Sequence, residues 1–569
     1  MSSPGSRSYE PGAIFLLLAA SLIPYLNALS NVFVFDDLVQ IVADRSLGDI
    51  SNLLVYIQVP RGVKKVLYLI EYRLFGLNPF GYHLTNVLLH ALSTLSFFYL
   101  LKKIFNERGI PLMAGLLFAT HPVHTEAVTA IANRNDVLAM LFFTWSFILY
   151  LKRGDGRHYY PLSLLSFLLA LLSKEAAAAS LPAVIILYEL YSGGRGRVLM
   201  GNARYLIPYA VMLVLFVLYL LFVISVSPAS QEREVSGLFL ADPFPASFYT
   251  ASRAFTVYIR LLIFPLDLNA MHVVKVSNSL FEWKVMLSVL SLFLFLYLVV
   301  RLFRASRWVS FGLAWFFVTL LPVSNLLFPL APFYVAERYL YLPSAGFSLA
   351  AAAALKRLMA GERTPGRLPG KAGVVLLSAL LAAYAALTIK RNLDWRSDYS
   401  LWSKTVAQSP SSSRAHYSLG IACWDKGLLD EAQAEFTEAV SIWPGFVEAR
   451  INLGNVLAEK GLLDEAEREL REAVRIGPEF VKARNNMGNV LVEKGLLDEA
   501  LEEYTSALRI DPSHAETHYN LALVYEMQDN GSKAVEHYEI FLRLSDRADE
   551  KAAEAVRRAG DRLRALSGE

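Results

Sequence analysis

The chain has 569 residues, 55% of them hydrophobic, with a mean hydropathy of +0.38 and a formal net charge of +3. These values describe a membrane protein that also carries soluble sequence, and they argue against a nucleic-acid-binding role, because the basic residues fall in short loops between apolar runs. The single cysteine, Cys423, excludes an internal disulfide and a cysteine-built metal site.

The first apolar run, Gly12 to Leu29 behind Arg7, has the length of a signal sequence. Paired acids follow it instead of a small-residue cleavage pattern, so it reads as a retained span. Further runs able to cross about 30 Å of hydrocarbon lie near 82–101, 111–131, 135–151, 159–173, 176–192, 205–226, 284–300, 308–327, 334–355 and 372–390. Basic loops follow the even-numbered runs: Lys102, Lys103 and Arg108; Lys152, Arg153 and Arg157; Arg195, Arg197 and Arg204; Arg301, Arg304 and Arg307; Lys356, Arg357, Arg363, Arg367 and Lys371. With about eleven spans and a cytoplasmic N-terminus, all of these loops share the cytoplasmic side. The stretch 247–268 is apolar but holds Arg253, Arg260, Pro265 and Asp267, and reads as interfacial or re-entrant. The outer loop 31–81 places Val66, Leu67, Leu69, Ile70 and Leu74 at helical spacing, as an amphipathic helix on the outer interface does.

Ionisable groups gather on the outer side. Asp36 and Asp37 follow the first span; His121, His124 and Glu126 lie in the third; Arg134, Asn135 and Asp136 turn into the fourth; Lys174 and Glu175 turn into the sixth; Glu337 and Arg338 open the tenth. Such residues at membrane depth are costly and point to a functional cavity. Carboxylates beside cations suit a site that takes a hydroxyl proton and stabilises a phosphate leaving group. Plainer readings exist for each: Arg134 and Lys174 as interfacial anchors, His121 satisfying carbonyls freed by Pro122, Asp36 and Asp37 as a solvated loop. Five mixed-sign clusters on one side favour the cavity.

From Pro410 the chain repeats every 34 residues: Pro410, Pro444, Pro478 and Pro512; Gly420, Gly454, Gly488 and Ala522; Ala432, Ala466, Ala500 and Ala534. This is the tetratricopeptide pattern, a helical solenoid that holds another polypeptide in its concave face. The tryptophan usual at position 4 is replaced by His416, Arg450, Arg484 and His518. Asn452, Asn486 and Asn520 share one column, with Asn455 and Asn489 three residues on, along one helix face. Such amides can hold an extended peptide backbone, or they can stabilise repeat stacking. The organisation reads as a membrane domain over 1–392, a half-repeat connector over 393–410, four repeats over 411–545 and a capping helix over 546–569.

Phe35-Asp36-Asp37, the His-Pro-Val-His-Thr-Glu run at 121–126, Asn133-Arg134-Asn135-Asp136, Leu172-Ser173-Lys174-Glu175, Glu337-Arg338-Tyr339-Leu340 and Trp395-Arg396 together resemble the transmembrane-and-tetratricopeptide-repeat O-mannosyltransferases, of the C-type membrane glycosyltransferases. The resemblance implies an all-α polytopic bundle followed by the solenoid. It implies transfer of mannose or another hexose from a polyprenyl-phosphate-linked donor to Ser/Thr hydroxyls of exported proteins, on the extracytoplasmic side of the cell membrane (or the ER lumen). Asp36 or Asp37 would be the base, Arg134, Lys174 and Arg338 would hold the donor phosphate, and the repeat arm would bind the acceptor. A metal requirement stays open. The alternatives are a non-catalytic membrane scaffold, which has no need of the ionic clusters, and a transferase acting on a lipid or glycan.

Overall fold

A computed structural model describes residues 10–105, 109–192, 197–226, 244–327, 333–361, 369–545 and 550–567. Arg7, Arg108, Arg195, Arg363, Arg367 and the first residues of the expected capping segment lie outside them. The described chain forms helices and turns, and divides into two units, Met1–Lys404 and Thr405–Glu569. Each is taken by itself below.

The first unit is a membrane protein's helix bundle. Five described helical segments are long and apolar enough to cross a bilayer: Pro11–Ser30, Pro79–Ile104, Arg204–Val223, Trp283–Ala305 and Gly373–Asp394. Shorter apolar helices, Gly109–Thr120, Tyr159–Ser173, Leu181–Ser192 and Arg307–Val323, pack among them. Trp315 sits at the centre of the core, with the rings of Phe97, Phe143, Phe147 and Phe311 all within 6.2 Å of it. Helices Arg307–Leu320 and Pro343–Gly361 touch backbone to backbone: a Cβ on Gly312 would lie 2.6 Å from the Gly346 oxygen. Small residues at such crossings let apolar helices approach without a hydrophobic driving force.

Two expected spans are interrupted. The run 111–131 opens with helix Gly109–Thr120, about 18 Å of rise, which stops where Pro122 removes a donor and His121 takes an extended backbone, and resumes only as the short helix Thr125–Thr129. Short turns carry the chain to helix Arg134–Leu151. The run 334–355 begins as an extended segment and a tight turn, Glu337–Leu340, before helix Pro343–Gly361. Both breaks lie where the ionisable residues cluster. The stretch 247–268 contains helix Phe244–Ile263, which stops just before Pro265.

In the outer loop, helix Gly62–Phe75 turns Lys64, Tyr68 and Glu71 inward, while Leu74 is 69% exposed and Ile70 45%. Leu69 joins Tyr68 in a core cluster with Val66 packed against it, so the apolar residues divide between the interior and the exposed Ile70 and Leu74.

The second unit repeats one helical pair four times: Ser413–Trp424 with Leu429–Ile442, Val447–Glu459 with Leu463–Ile476, Val481–Glu493 with Leu497–Ile510, and Ala515–Met527 with Gly531–Leu544. Gly427, Gly461 and Gly495 turn each pair at positive φ, and Asp529 takes the place of glycine in the fourth. Helix Glu550–Ser567 packs Ala559 and Leu563 against the last pair. The connector is a helix, Asp398–Gln408, and the division between the units falls within it.

The position-4 residues explain why tryptophan is dispensable. Each bonds the carbonyl of its repeat's leading proline: His416 to Pro410, Arg450 to Pro444, Arg484 to Pro478 and His518 to Pro512, at 3.0–3.3 Å. Each also clamps the second helix, through Glu435, Glu469 and Glu503, but in the last repeat through His537, with 2.9 Å between the two Nδ1 atoms. Burial, then the neighbouring His518 and Lys533, hold the His537 imidazole below its ordinary pKa, against the opposing pull of Glu536. A histidine lowered by folding binds its proton more readily once unfolded, so its effect is a loss of stability as pH falls below about 6.5. His537→Glu restores the pair of the other repeats. The last repeat is then expected to gain about 0.3–1 kcal/mol and to lose much of its acid sensitivity, read by hydrogen exchange of the full chain at pH 5.5 and 7.5.

Candidate active site

The backbone enters the site through a strained residue. Phe35 has φ +53°, a region that non-glycine residues occupy only when held there. Its N–H donates to Asp398 Oδ1 at 2.8 Å, and its ring meets Trp402 edge-on at 5.0 Å. The two acids that follow are then presented differently. Asp37 is fully buried, its Oδ1 accepting the Ala132 N–H at 2.6 Å and its Oδ2 the Val34 N–H at 3.3 Å. Burial pushes its carboxyl up to about 7, against the backbone donors. Asp36 is half-buried, with neither oxygen in a hydrogen bond to a described residue. Burial raises its pKa as well, while Arg338 and Lys64 pull it down and Glu126 adds to the rise.

Around Asp36 the charges alternate. Glu126 accepts the Arg338 backbone N–H at 2.9 Å and pairs with the Arg338 guanidinium. Lys174 Nζ bonds both Asp136 oxygens, at 2.5 and 2.6 Å, and lies 5.0 Å from the Tyr339 ring centroid. Arg61, itself at φ +60°, pairs with Glu175 at 2.8 Å. Lys64 donates to Gln40 Oε1 at 2.5 Å and to the Ala132 carbonyl at 3.1 Å. Burial, then the like charges of Arg61 and Arg134, lower the Lys64 pKa to about 7 despite Asp36 and Asp37. Among the described residues, no group of three or more His, Cys, Asp or Glu side chains could hold a metal ion.

Several expected site residues have other work. Arg134 is fully buried: Nη1 pairs with Glu71 at 2.5 Å, Nε donates to Asn86 Oδ1 at 2.7 Å and Nη2 to the Tyr82 carbonyl at 3.1 Å. Every guanidinium nitrogen has a partner, so Arg134 leaves the set of phosphate-holding cations and pins helix Gly62–Phe75 to helix Pro79–Ile104. His121 bonds the Leu262 carbonyl at 3.0 Å and caps Val123, and His124 bonds Ser344 at 2.7 Å within a cluster of Phe118, His90 and Tyr341 rings. Both sit at the helix break, His121 bonding a carbonyl of helix Phe244–Ile263 and not one freed by Pro122. Glu337 is buried among the Asn269 N–H, His272 at 3.0 Å and Arg391 at 3.5 Å, holding the loop after helix Phe244–Ile263 beside Arg338. Asn135 is buried next to Asp136, its Oδ1 without a described partner.

Sequence reasoning did not assign Lys64, Arg61 and Glu71 to the site. The signal was there: Lys64, Tyr68 and Glu71 stand at i, i+4 and i+7, a polar stripe along one side of the helix. In the repeat unit, the asparagine columns bond one another. Asn486 donates to Asn455 at 2.8 Å, Asn520 to Asn489 at 3.0 Å and to Asn485 at 3.1 Å, and Asn452 to the Tyr417 hydroxyl at 3.3 Å. The amides form an inter-repeat ladder with part of their capacity left over. Arg134→Ala leaves a buried carboxylate unpaired and is expected to cost about 3–5 kcal/mol. Its signature in detergent is a large fall in thermal stability, matched by Glu71→Ala, with the affinity for a sugar–phosphate lipid unchanged in the molecules that remain folded.

Comparison with known proteins adds to this geometry. Residues 66–222 match the family described as dolichyl-phosphate-mannose-protein mannosyltransferase, and 400–445, 424–484 and 488–529 match tetratricopeptide repeats. The chain is 27% identical to Protein O-mannosyl-transferase F38B6.6 of Caenorhabditis elegans, across 78% of this chain and 65% of that one. It is 26% identical to Protein O-mannosyl-transferase TMTC3 of Homo sapiens, across 76% and 51%. Protein O-mannosyl-transferase TMTC2 of Mus musculus is 38% identical across 25% of this chain and 19% of its own. The chain thus spans between about half and two thirds of the length of the first two. The resemblance carried by the motifs is matched by similarity to protein O-mannosyl-transferases over about three quarters of the chain, together with tetratricopeptide repeats.

Proposed function

We propose that this chain is a membrane glycosyltransferase that moves a mannosyl or other hexosyl group from a polyprenyl-phosphate-linked donor to Ser/Thr hydroxyls of exported proteins. The reaction takes place on the extracytoplasmic side, with the N-terminus cytoplasmic and the repeat arm receiving the acceptor. The observation that carries this reading is Asp36: a half-buried carboxylate, free of described hydrogen bonds, facing Arg338 and Lys64. The similarity to protein O-mannosyl-transferases supports the choice of sugar and acceptor. A scaffold has no use for such a group.

Asp36 takes the proton of the acceptor hydroxyl as its oxygen attacks the sugar C1, opposite the bond to phosphate. That bond breaks, its electron pair leaves with the lipid phosphate, and the configuration at C1 inverts. Arg338, with Lys174 and Lys64 near it, meets the charge that grows on the phosphate. Asp37 does not take the proton. Both of its oxygens serve the backbone amides of Ala132 and Val34, and it positions Asp36.

Asp36→Asn is expected to lower transfer by about 10²–10⁴-fold in a chain that remains folded, whereas Asp37→Asn lowers thermal stability first. Because Asp36 must be ionised to act and its pKa is raised, the acid limb of the pH–rate profile falls above the ordinary carboxylate value of about 3.9. Arg338→Ala weakens donor use. Full transfer by Asp36→Asn overturns the assignment.

The arm is tested separately. Changing Asn452, Asn455, Asn486, Asn489 and Asn520 to Ala is expected to impair transfer to long acceptors while sparing short peptides at high concentration, because the arm raises the acceptor's effective concentration. Equal losses on both substrates, tracking a loss of repeat stability, assign the amides to the ladder alone.

A further inference from the structure

Away from the carboxylate cluster, a cavity of about 420 Å³ opens between helix Phe244–Ile263, the extended segment near Val273 and the start of helix Trp283–Ala305. Its lining mixes two chemistries: Val257, Val274 and Leu287 are apolar, and Arg253 and Lys284 are cationic.

Three observations say what fits. The first is depth: Trp283–Ala305 is long and apolar enough to span a bilayer, and the residues at its start, Phe281 and Trp283, are 86% and 66% exposed. Aromatic residues at a span's end sit at the headgroup level, so the cavity mouth lies at the membrane interface. The second is charge. Arg253 and Lys284 both line the cavity, and the one carboxylate at the start of the helix, Glu282, accepts the Asn278 N–H at 3.1 Å. Arg253 is held by the Lys275 carbonyl at 2.8 Å and the Ser277 hydroxyl at 2.7 Å, so its position is set without an acid. Lys284 lies over the Trp283 ring at 5.5 Å and is in no ion pair among the described residues. The third is the apolar wall beneath these cations, which a free anion would leave uncovered at a cost.

We propose that this cavity binds an acidic phospholipid, its headgroup phosphate on Arg253 and Lys284 and the upper part of an acyl chain against Val257, Val274 and Leu287. The loop that forms the rim also carries Asn269 and His272, whose N–H and ring nitrogen meet Glu337, next to Arg338. A lipid seated here steadies that loop. The site is independent of the donor and acceptor named above, and stands or falls without them.

Native mass spectrometry of the full chain in detergent provides the test, titrating phosphatidylglycerol against phosphatidylcholine of the same acyl chains. The parent is expected to prefer the acidic lipid, and Arg253→Gln with Lys284→Gln to lose about 5-fold of that preference per cation removed. Val257→Trp, which fills the cavity and leaves the charges, is expected to abolish retention of the acidic lipid. Millimolar inorganic phosphate should not displace it. Equal uptake of the two lipids by the parent, an unchanged preference in the double variant, normal retention by Val257→Trp, or displacement by phosphate alone would each overturn the proposal.

Discussion

The Asp37 carboxylate, buried and held by the amides of Ala132 and Val34, is the join on which the site depends. It ties the loop leaving the first helix to the turns that follow the break at Pro122. Those turns carry Glu126 and lead into the helix bearing Asp136. Removing a carboxylate from water is costly, and fixed backbone donors offset part of that cost only when both partners are in register. The join therefore acts as a geometric lock: Asp36 points where it does because its neighbour has a single well-satisfied place. Phe35 at positive φ, held by Asp398 and Trp402, stores the strain that the lock requires.

Much of this was legible because charge and period are local properties of sequence. The repeats announce themselves through identical columns 34 residues apart, and helix bounds follow those columns closely. That the ionic clusters converge followed from loop parity alone. What stayed hidden was which cation serves the site. Arg134 and Arg338 both stand within two residues of an acid in the sequence, and both looked fit to hold a phosphate. Each finds a distant carboxylate, but Arg134, paired with Glu71 63 positions before it, is wholly buried with every nitrogen taken, whereas Arg338 keeps 18% of its side chain exposed. Pair identity over such a separation is set by packing, which no local pattern encodes. The position-4 columns were visible as a departure from tryptophan, but their double bond to proline carbonyl and second helix appears only in three dimensions.

Helix Gly62–Phe75 shows how a membrane changes the meaning of amphipathicity. In water its apolar residues would pack inward; here Leu74 and Ile70 face out and Lys64 and Glu71 face in. Burial of Lys64 and Glu71 depends on finding partners inside. Arg134 satisfies one such group and Gln40 with the Ala132 carbonyl the other. The helix thus delivers a lysine to the edge of the carboxylate cluster at little cost in exposed apolar surface to water.

The pairing of three site cations with carboxylates has a consequence for the proposed reaction. Arg338 is held by Glu126, Lys174 by Asp136 and Arg61 by Glu175, so an arriving lipid phosphodiester, with a single negative charge, must compete with carboxylates of equal charge. Its ground-state binding by these cations is correspondingly modest. As the bond to C1 breaks, the leaving phosphate gains a second negative charge, and the competition tilts toward it. An interaction that strengthens only as the bond breaks lowers the barrier without deepening the ground state. On this view the carboxylates belong to the catalytic arrangement: they hold the cations in place before the donor arrives and keep them from binding it too tightly once it has.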